Sequence, residues 1–427
     1  MSKPPDHTHY ALKYGSTSFS LELPPKHLAG IIGASVPPAA VSSEGLVTTA
    51  LDDCQTSISC VAPSDKVVIV TSDITRYTGS EIYLPLLVKR LNDRGIPDDN
   101  IEILIALGIH RKQTEDEHAK ILGPLFGRVS VTDHDCDDTS QLVSIGTTTN
   151  GVNVSINRRA VEADRLILTG AIGFHYFAGF SGGRKSVLPG IASRQACMGS
   201  HFAVLNPEPG SGKNDHAVTG NLIDNPVHQA MLEACSMADP DFILNTVLSP
   251  DKRIIAAFGG HWKEAHEQGC HFYRQHFAYP LREKSDLVIV SCGGFPKDIN
   301  LIQAHKSMEY ASQTLKDHGV MILLAECRDG FGNATFLNWF RHKQLENFEA
   351  ALREQYEING QTAYSLLQKA QRFRIILVSE FPDRQVEEMG MVPATSLDGA
   401  FKIAEEFLPD DWKAYVMPEG GSVLPVL

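Results

Sequence analysis

Between residues 170 and 201 the chain gathers side chains that can do chemistry. The run Gly170-Ala171-Ile172-Gly173-Phe174-His175 leads into Tyr176-Phe177-Ala178-Gly179-Phe180-Ser181-Gly182-Gly183-Arg184-Lys185-Ser186, then Pro189-Gly190, and later His201. Glycine lets backbone approach a ligand closely and takes dihedrals other residues avoid. A loop of this kind after a strand commonly holds an anion with backbone N–H groups. An amine such as Lys185 can grip or react with a cofactor. The imidazoles of His175 and His201 can exchange a proton near neutral pH or ligate zinc, nickel or copper. Two plainer readings compete. Residues 179–186 nearly match the phosphate-binding pattern G-x-x-x-x-G-K-[ST], but Arg184 stands where the last glycine has a steric job. The glycines could also be purely structural. The favoured reading is a lysine that handles a cofactor, with two histidines beside it.

Other candidates lie elsewhere in the chain. His110 sits in Gly108-Ile109-His110-Arg111, and Asp73 and Arg76 sit in Ser72-Asp73-Ile74-Thr75-Arg76. An Asp–Arg pair in a surface turn contributes little; the functional alternative is a guanidinium fork that grips a carboxylate. Gln303 and Lys306 are three apart, so both project from one face of a helix. A solvated face is the plain reading. The preceding Gly293-Gly294-Phe295-Pro296 loop favours an anion at that helix start.

These residues need elements to position them. Apolar runs at 67–70, 101–107 and 166–168 read as buried parallel strands. Helical patterns follow at 79–94 and after Thr114, where Glu117 completes a capping box. Further strands are expected at 241–248, 253–258, 286–291, 319–325 and 374–379, and helices at 226–237, 261–277, 346–370 and 397–408. The alternation predicts an α/β fold of two domains, each a largely parallel sheet flanked by helices, with the active site in the cleft between them. Boundaries are expected at 1–278 for an N-terminal cofactor-binding domain and 279–408 for a C-terminal α/β domain, with a tail, 409–427, returning to the N-terminal domain. Ligands of such sheets bind beyond the carboxyl ends of the strands, where Asp73, Arg76, His110, His175 and Lys185 all fall.

Composition narrows the function. The net charge of −13 argues against a nucleic-acid or anionic-membrane surface protein. No apolar run approaches the roughly 20 residues that span a bilayer, and the first seven residues show no secretory signal. Eight scattered cysteines without a C-x-x-C suit reduced thiols in a cytoplasm.

Taken together, the Ser72–Arg76, Gly108–Arg111 and Gly173–His175 segments, the Ala178–Lys185 glycine motif, Pro189-Gly190, His201 and Asp298-Ile299-Asn300-Leu301-Ile302-Gln303-Ala304-His305-Lys306 resemble, in order, the lactate racemase family, which uses a nickel-pincer nucleotide. The resemblance implies a pyridinium-3,5-bisthiocarboxylic acid mononucleotide carrying nickel, covalently tethered to Lys185, with His201 completing a roughly planar metal site. It implies that Gly179, Ser181, Gly182 and Gly183 hold the cofactor, that His110 and His175 are the acid–base pair, and that Asp73, Arg76, Gln303 and Lys306 line the substrate site. Enzymes that build the cofactor are implied as partners.

The implied reaction is racemisation or epimerisation of a small 2-hydroxy acid. The hydrogen at C2 beside a carboxylate is a poor acid, so plain deprotonation is difficult. Removing it as hydride to the cofactor while a histidine takes the hydroxyl proton gives a planar 2-keto acid, and return to either face inverts the centre. Ile302 stands before Gln303 where a tyrosine is expected in lactate-specific relatives, so lactate, malate and other 2-hydroxy acids are all open as substrates. Two rival readings are a zinc hydrolase built on His110, His175 and His201, and a non-enzymatic nucleotide-binding protein built on the glycine loop.

Overall fold

A computed structural model describes residues 8–37, 40–54 and 58–427. The first seven residues, on which the expectation of no secretory signal rests, lie outside the described residues. The chain is two-domain α/β with parallel-dominated sheets. One compact unit comprises the described residues of 36–207 with 213–276. The other comprises the described residues up to Ser35, with 208–212 and 277–427.

In the first unit six strands run in the order Ile254–Gly260, Phe242–Leu248, Arg165–Ile172, Val67–Ser72, Ile101–Ala106 and Ser130–Asp133. All are parallel except the antiparallel edge strand Ile254–Gly260. The central strands are apolar on both faces because helices cover both. Val68, Val70, Leu166 and Leu168 pack on the glycine-loop side, and Ile69, Ile103 and Ile167 on the opposite side against the Ser80–Asn92 helix. Chain order reverses between Val67–Ser72 and Arg165–Ile172. In doubly wound sheets the ligand crevice opens at that reversal, beyond the carboxyl ends. The loops leaving these two strands carry Asp73–Arg76 and Gly173–Lys185.

The second unit has a six-stranded all-parallel sheet in the order Val392–Ala394, Arg374–Val378, Leu315–Leu324, Ser285–Ser291, Ala414–Met417 and Leu28–Ile31. Its core includes Leu287, Ile289, Ile322, Ile376 and Val416. This corrects the expected domain limits. The tail does not return to the N-terminal domain: Ala414–Met417 pairs with Ser285–Ser291, and Leu424–Val426 pairs with Ala278–Pro280. Leu28–Ile31 extends the same sheet, so the start of the chain belongs to this unit as well. The physical reason is edge satisfaction: an open parallel sheet offers unpaired N–H and C=O groups, and a distant segment can cover them without leaving a sequence signal.

Candidate active site

Asp73 begins the loop after Val67–Ser72 and is buried. One carboxylate oxygen accepts from the Thr75 N–H at 2.6 Å and the Thr75 hydroxyl at 2.5 Å. The other lies 2.7 Å from Nδ1 of His110, which follows Ile101–Ala106 on the adjacent strand. Burial pushes the Asp73 carboxyl up, but the bonds from His110 and Thr75 outweigh it and hold the pKa below its ordinary value. Both oxygens are therefore engaged. Asp73 is thus placed to orient His110, whose ring is 39 % exposed. A carboxylate accepts, so the neutral ring carries its proton on Nδ1 and leaves Nε2 with a lone pair.

His175 lies at the end of the short strand Phe174–His175, paired with Gly179–Phe180. Its Nδ1 accepts the Ala178 N–H at 3.3 Å, so in the neutral ring the proton sits on Nε2. The two histidines thus rest in opposite tautomers.

Lys185 lies in the turn Gly183–Ser186. Its amine meets only Met231 Sδ at 3.8 Å and the Phe177 ring, 6.0 Å to the centroid, and no oxygen acceptor among the described residues. Burial first, and then the positive charges of Arg184 and Arg76, lower its pKa to about 7. His201, in the helix Arg194–Phe202, donates from Nδ1 to the Cys197 carbonyl at 2.7 Å. That bond fixes the tautomer and leaves the lone pair on Nε2, the arrangement common in metal-ligating histidines. Burial, reinforced by the Lys185 charge, holds its pKa down at about 3, so the ring stays neutral. Phe177 is the common neighbour: its centroid is 4.5 Å from the ring of His175 and 5.1 Å from that of His201. The Gly108 N–H donates to Gly190 O at 2.8 Å, tying the His110 loop to the end of the lysine loop.

Several donors of the glycine loop are used within the protein. The Ser181 N–H donates to Gly173 O, its hydroxyl to Ala171 O, and the Gly183 N–H to Asn245 Oδ1. Those donors are consumed inside the protein. A Cβ on Gly183 would lie 1.5 Å from Ile243 Cδ1, and one on Gly179, at φ +76°, 2.2 Å from Asn221 O. Gly179 and Gly183 are needed for close packing, and Gly179 and Gly182, the latter at φ +97°, for unusual dihedrals.

Sequence reasoning missed the role of Arg184. It is fully buried. Its guanidinium reaches His228 Nδ1 and His266 Nε2, both at 2.8 Å, and the carbonyls of Ala178 and Phe180 at 3.1 and 3.2 Å. Among the described residues it meets no carboxylate, and it binds the loop through the two carbonyls. The signal was its place inside a tight glycine motif, where a long side chain has to turn inward.

Arg76 is exposed, and its charge is felt at Lys185. Gln303 and Lys306 lie on the Leu301–Ala311 helix of the other unit, with Lys306 Nζ donating to Gln303 Oε1 at 3.1 Å. Among the described residues no group of three or more His, Cys, Asp or Glu is gathered to hold a metal ion. The three loop histidines therefore do not form the ligand set a zinc hydrolase needs.

Two sequence-family models match the chain: the lactate racemase N-terminal domain over residues 14–212 and the lactate racemase C-terminal domain over 281–425. The chain belongs to the lactate racemase family. It is 36% identical over 425 residues to a lactate racemase of Thermoanaerobacterium thermosaccharolyticum, covering 97% of this chain and 98% of that one. It is 41% identical over 271 residues to a lactate racemase of Lactiplantibacillus plantarum, covering 63% of this chain and 62% of that one. The lactate racemase apoprotein structure from T. thermosaccharolyticum superposes with a TM-score of 0.88 at 34% identity, over 98% of this chain and 100% of that one. A Thermotoga maritima protein shares the fold at a TM-score of 0.64 and 19% identity, covering 91% and 99%. Among the described residues no helix is long and apolar enough to cross a membrane, and all eight cysteines are free.

Proposed function

We propose that this lactate racemase family member is a racemase or epimerase of a small 2-hydroxy acid, with lactate the first substrate to test. The observation that carries the proposal is the Lys185 amine, with no oxygen acceptor among the described residues and a pKa near 7, on the same aromatic ring as a neutral His201 whose Nδ1 is taken by Cys197 O and whose Nε2 keeps its lone pair. A neutral amine is the nucleophile that covalent attachment requires, and a neutral imidazole is a nickel ligand. These residues fit a nickel-pincer nucleotide tethered to Lys185, with His201 on the metal. When bound, that group would supply a reversible hydride acceptor for the C2 hydrogen.

The chain's own residues supply the rest. His110, with its proton fixed on Nδ1 by Asp73, takes the substrate hydroxyl proton at Nε2. His175 acts as the acid on the return as an imidazolium, giving its Nε2 proton to the carbonyl oxygen and ending as a neutral ring. For the opposite enantiomer the roles exchange, which requires His175 to start with Nε2 unprotonated and His110 to start as the imidazolium. Each need contribute an acid–base factor of about 10²–10⁴. Arg76 holds the substrate carboxylate so that the planar keto acid does not escape, and Gln303 and Lys306 are assigned to substrate binding on their match to the family motif.

The test is to make the protein together with the enzymes that build the cofactor. Intact mass and metal content of the product should show one organic adduct on Lys185 and one nickel. Chiral analysis should show D- and L-lactate, then malate and larger hydroxy acids, interconverting. Loaded protein that inverts no 2-hydroxy acid defeats the proposal.

A further inference from the structure

The helix Leu301–Ala311 presents two faces. Ile302, Gln303 and Lys306 lie toward solvent, while His305 and Glu309 point into the second unit and are 1% and 4% exposed. Glu309 is a carboxylate in an apolar interior. Its Oε1 accepts from Lys369 Nζ at 2.6 Å and from the Ser365 hydroxyl, and His305 Nε2 lies 3.2 Å from the same oxygen. Lys369 also donates to Ser365 at 3.2 Å. Both partners belong to the helix Ile358–Arg372, so the cluster joins two helices through charge and not only through packing.

A buried ion pair is a poor way to gain stability. Desolvating both ions offsets most of their attraction, and an apolar pair of similar volume often does as well or better. What a pair of this kind does supply is register. Leucine against leucine tolerates a small rotation of one helix on the other, whereas an ammonium 2.6 Å from one carboxylate oxygen does not. A helix turns about 100° per residue, so fixing the rotation of residues 305 and 309 also fixes the direction of 303 and 306.

We infer that Glu309 and Lys369 are positioning residues: their buried pair, with Ser365 and His305, sets the rotation of the Leu301–Ala311 helix that aims Gln303 and Lys306. The inference rests on the proposed assignment of Gln303 and Lys306 to substrate binding. It adds that this aim is set from the far side of the helix, by residues that touch no substrate.

The experiment uses the double variant Glu309→Met/Lys369→Met, in which both charges are removed together so that neither ion is left unpaired. Two readouts are taken. In the apo protein, hydrogen exchange across residues 300–311 should accelerate about tenfold or more, with the thermal midpoint within a few degrees of the parent. In the cofactor-loaded protein, KM for the hydroxy acid should rise about tenfold while kcat changes less than threefold. Lys369→Arg, which restores a buried cation, should recover most of both. If the double variant does not fold, Ser365→Ala removes one donor to Glu309 and is read by the same two measurements. Unchanged exchange in a folded variant overturns the register role. Faster exchange with unchanged KM overturns the link to substrate. A loaded parent protein that inverts no hydroxy acid defeats the functional proposal instead, and the exchange readout still tests the helix lock.

Discussion

Nδ1 of His110 lies 2.7 Å from a buried oxygen of Asp73, while Nδ1 of His175 accepts a backbone N–H instead of donating one. The two rings therefore differ in which nitrogen is already engaged. Under the proposed reaction one ring takes the hydroxyl proton and the other returns it. Replacing Asp73 by Asn removes the charge that favours the Nδ1–H form. The expected outcome is a fall in kcat of about 10²-fold in both directions with KM little changed, and a larger loss, within about 10²–10⁴-fold, for His110→Ala. Initial rates from each enantiomer check this. A fully active Asp73→Asn protein would remove the orienting role.

The Lys185 amine, with a pKa of about 7, is half neutral near pH 7, whereas an ordinary lysine needs a pH near 10.4. Its reactivity toward an acylating reagent should thus rise as pH increases through about 7 and then level off, while surface lysines are still gaining. Competitive labelling of the apo protein across pH 6–10, read by peptide mass, gives the midpoint. A midpoint near 10 for Lys185 would contradict the burial and charge argument. Lys185→Ala is expected to carry no covalent adduct when made alongside the cofactor-building enzymes.

His228 and His266 accept from Arg184 and are buried beside its charge. Burial and that charge hold His228 at about 3 and His266 well below its ordinary range. In the unfolded chain each has a pKa near 6.5. Below that pH the unfolded chain binds protons that the native state refuses, so stability falls as pH drops, by about 1.4 kcal/mol per pH unit for each group. Urea midpoints should decline from pH 6.5 toward 4.5, ahead of any carboxylate protonation. A flat profile across that window would show that the rings are free to charge.

Among the described residues Arg184 has four acceptors and no counter-ion. Arg184→Leu leaves two carbonyls and two imidazole nitrogens in the interior with a donor removed, at a cost of about 1–3 kcal/mol for each group that water cannot reach. Arg184→Lys cannot reach all four with a single ammonium and should recover little. Thermal melts of the apo proteins check both. A Leu variant as stable as the parent would mean that the loop does not depend on this anchor.

The sequence by itself determined the α/β alternation, the Thr114–Glu117 capping box, most strands and helices, and the loops in which the chemical residues sit. These follow from short-range rules: a buried parallel strand must be apolar on both faces, and a helix start needs its N–H groups capped. The sequence motif also carried the family. The tertiary structure alone decided three things. It decided strand order, and with it the reversal point between Val67–Ser72 and Arg165–Ile172, because pairing of distant strands leaves no local trace. It decided that the first strands and the tail belong to the second unit, because a sheet edge accepts any segment able to supply matching backbone groups. And it decided which bonds are made: Asp73 to His110, Arg184 inward to the loop carbonyls, and Gly183 against Ile243, since a residue's type shows what it can bond but only its surroundings show which bonds are already taken.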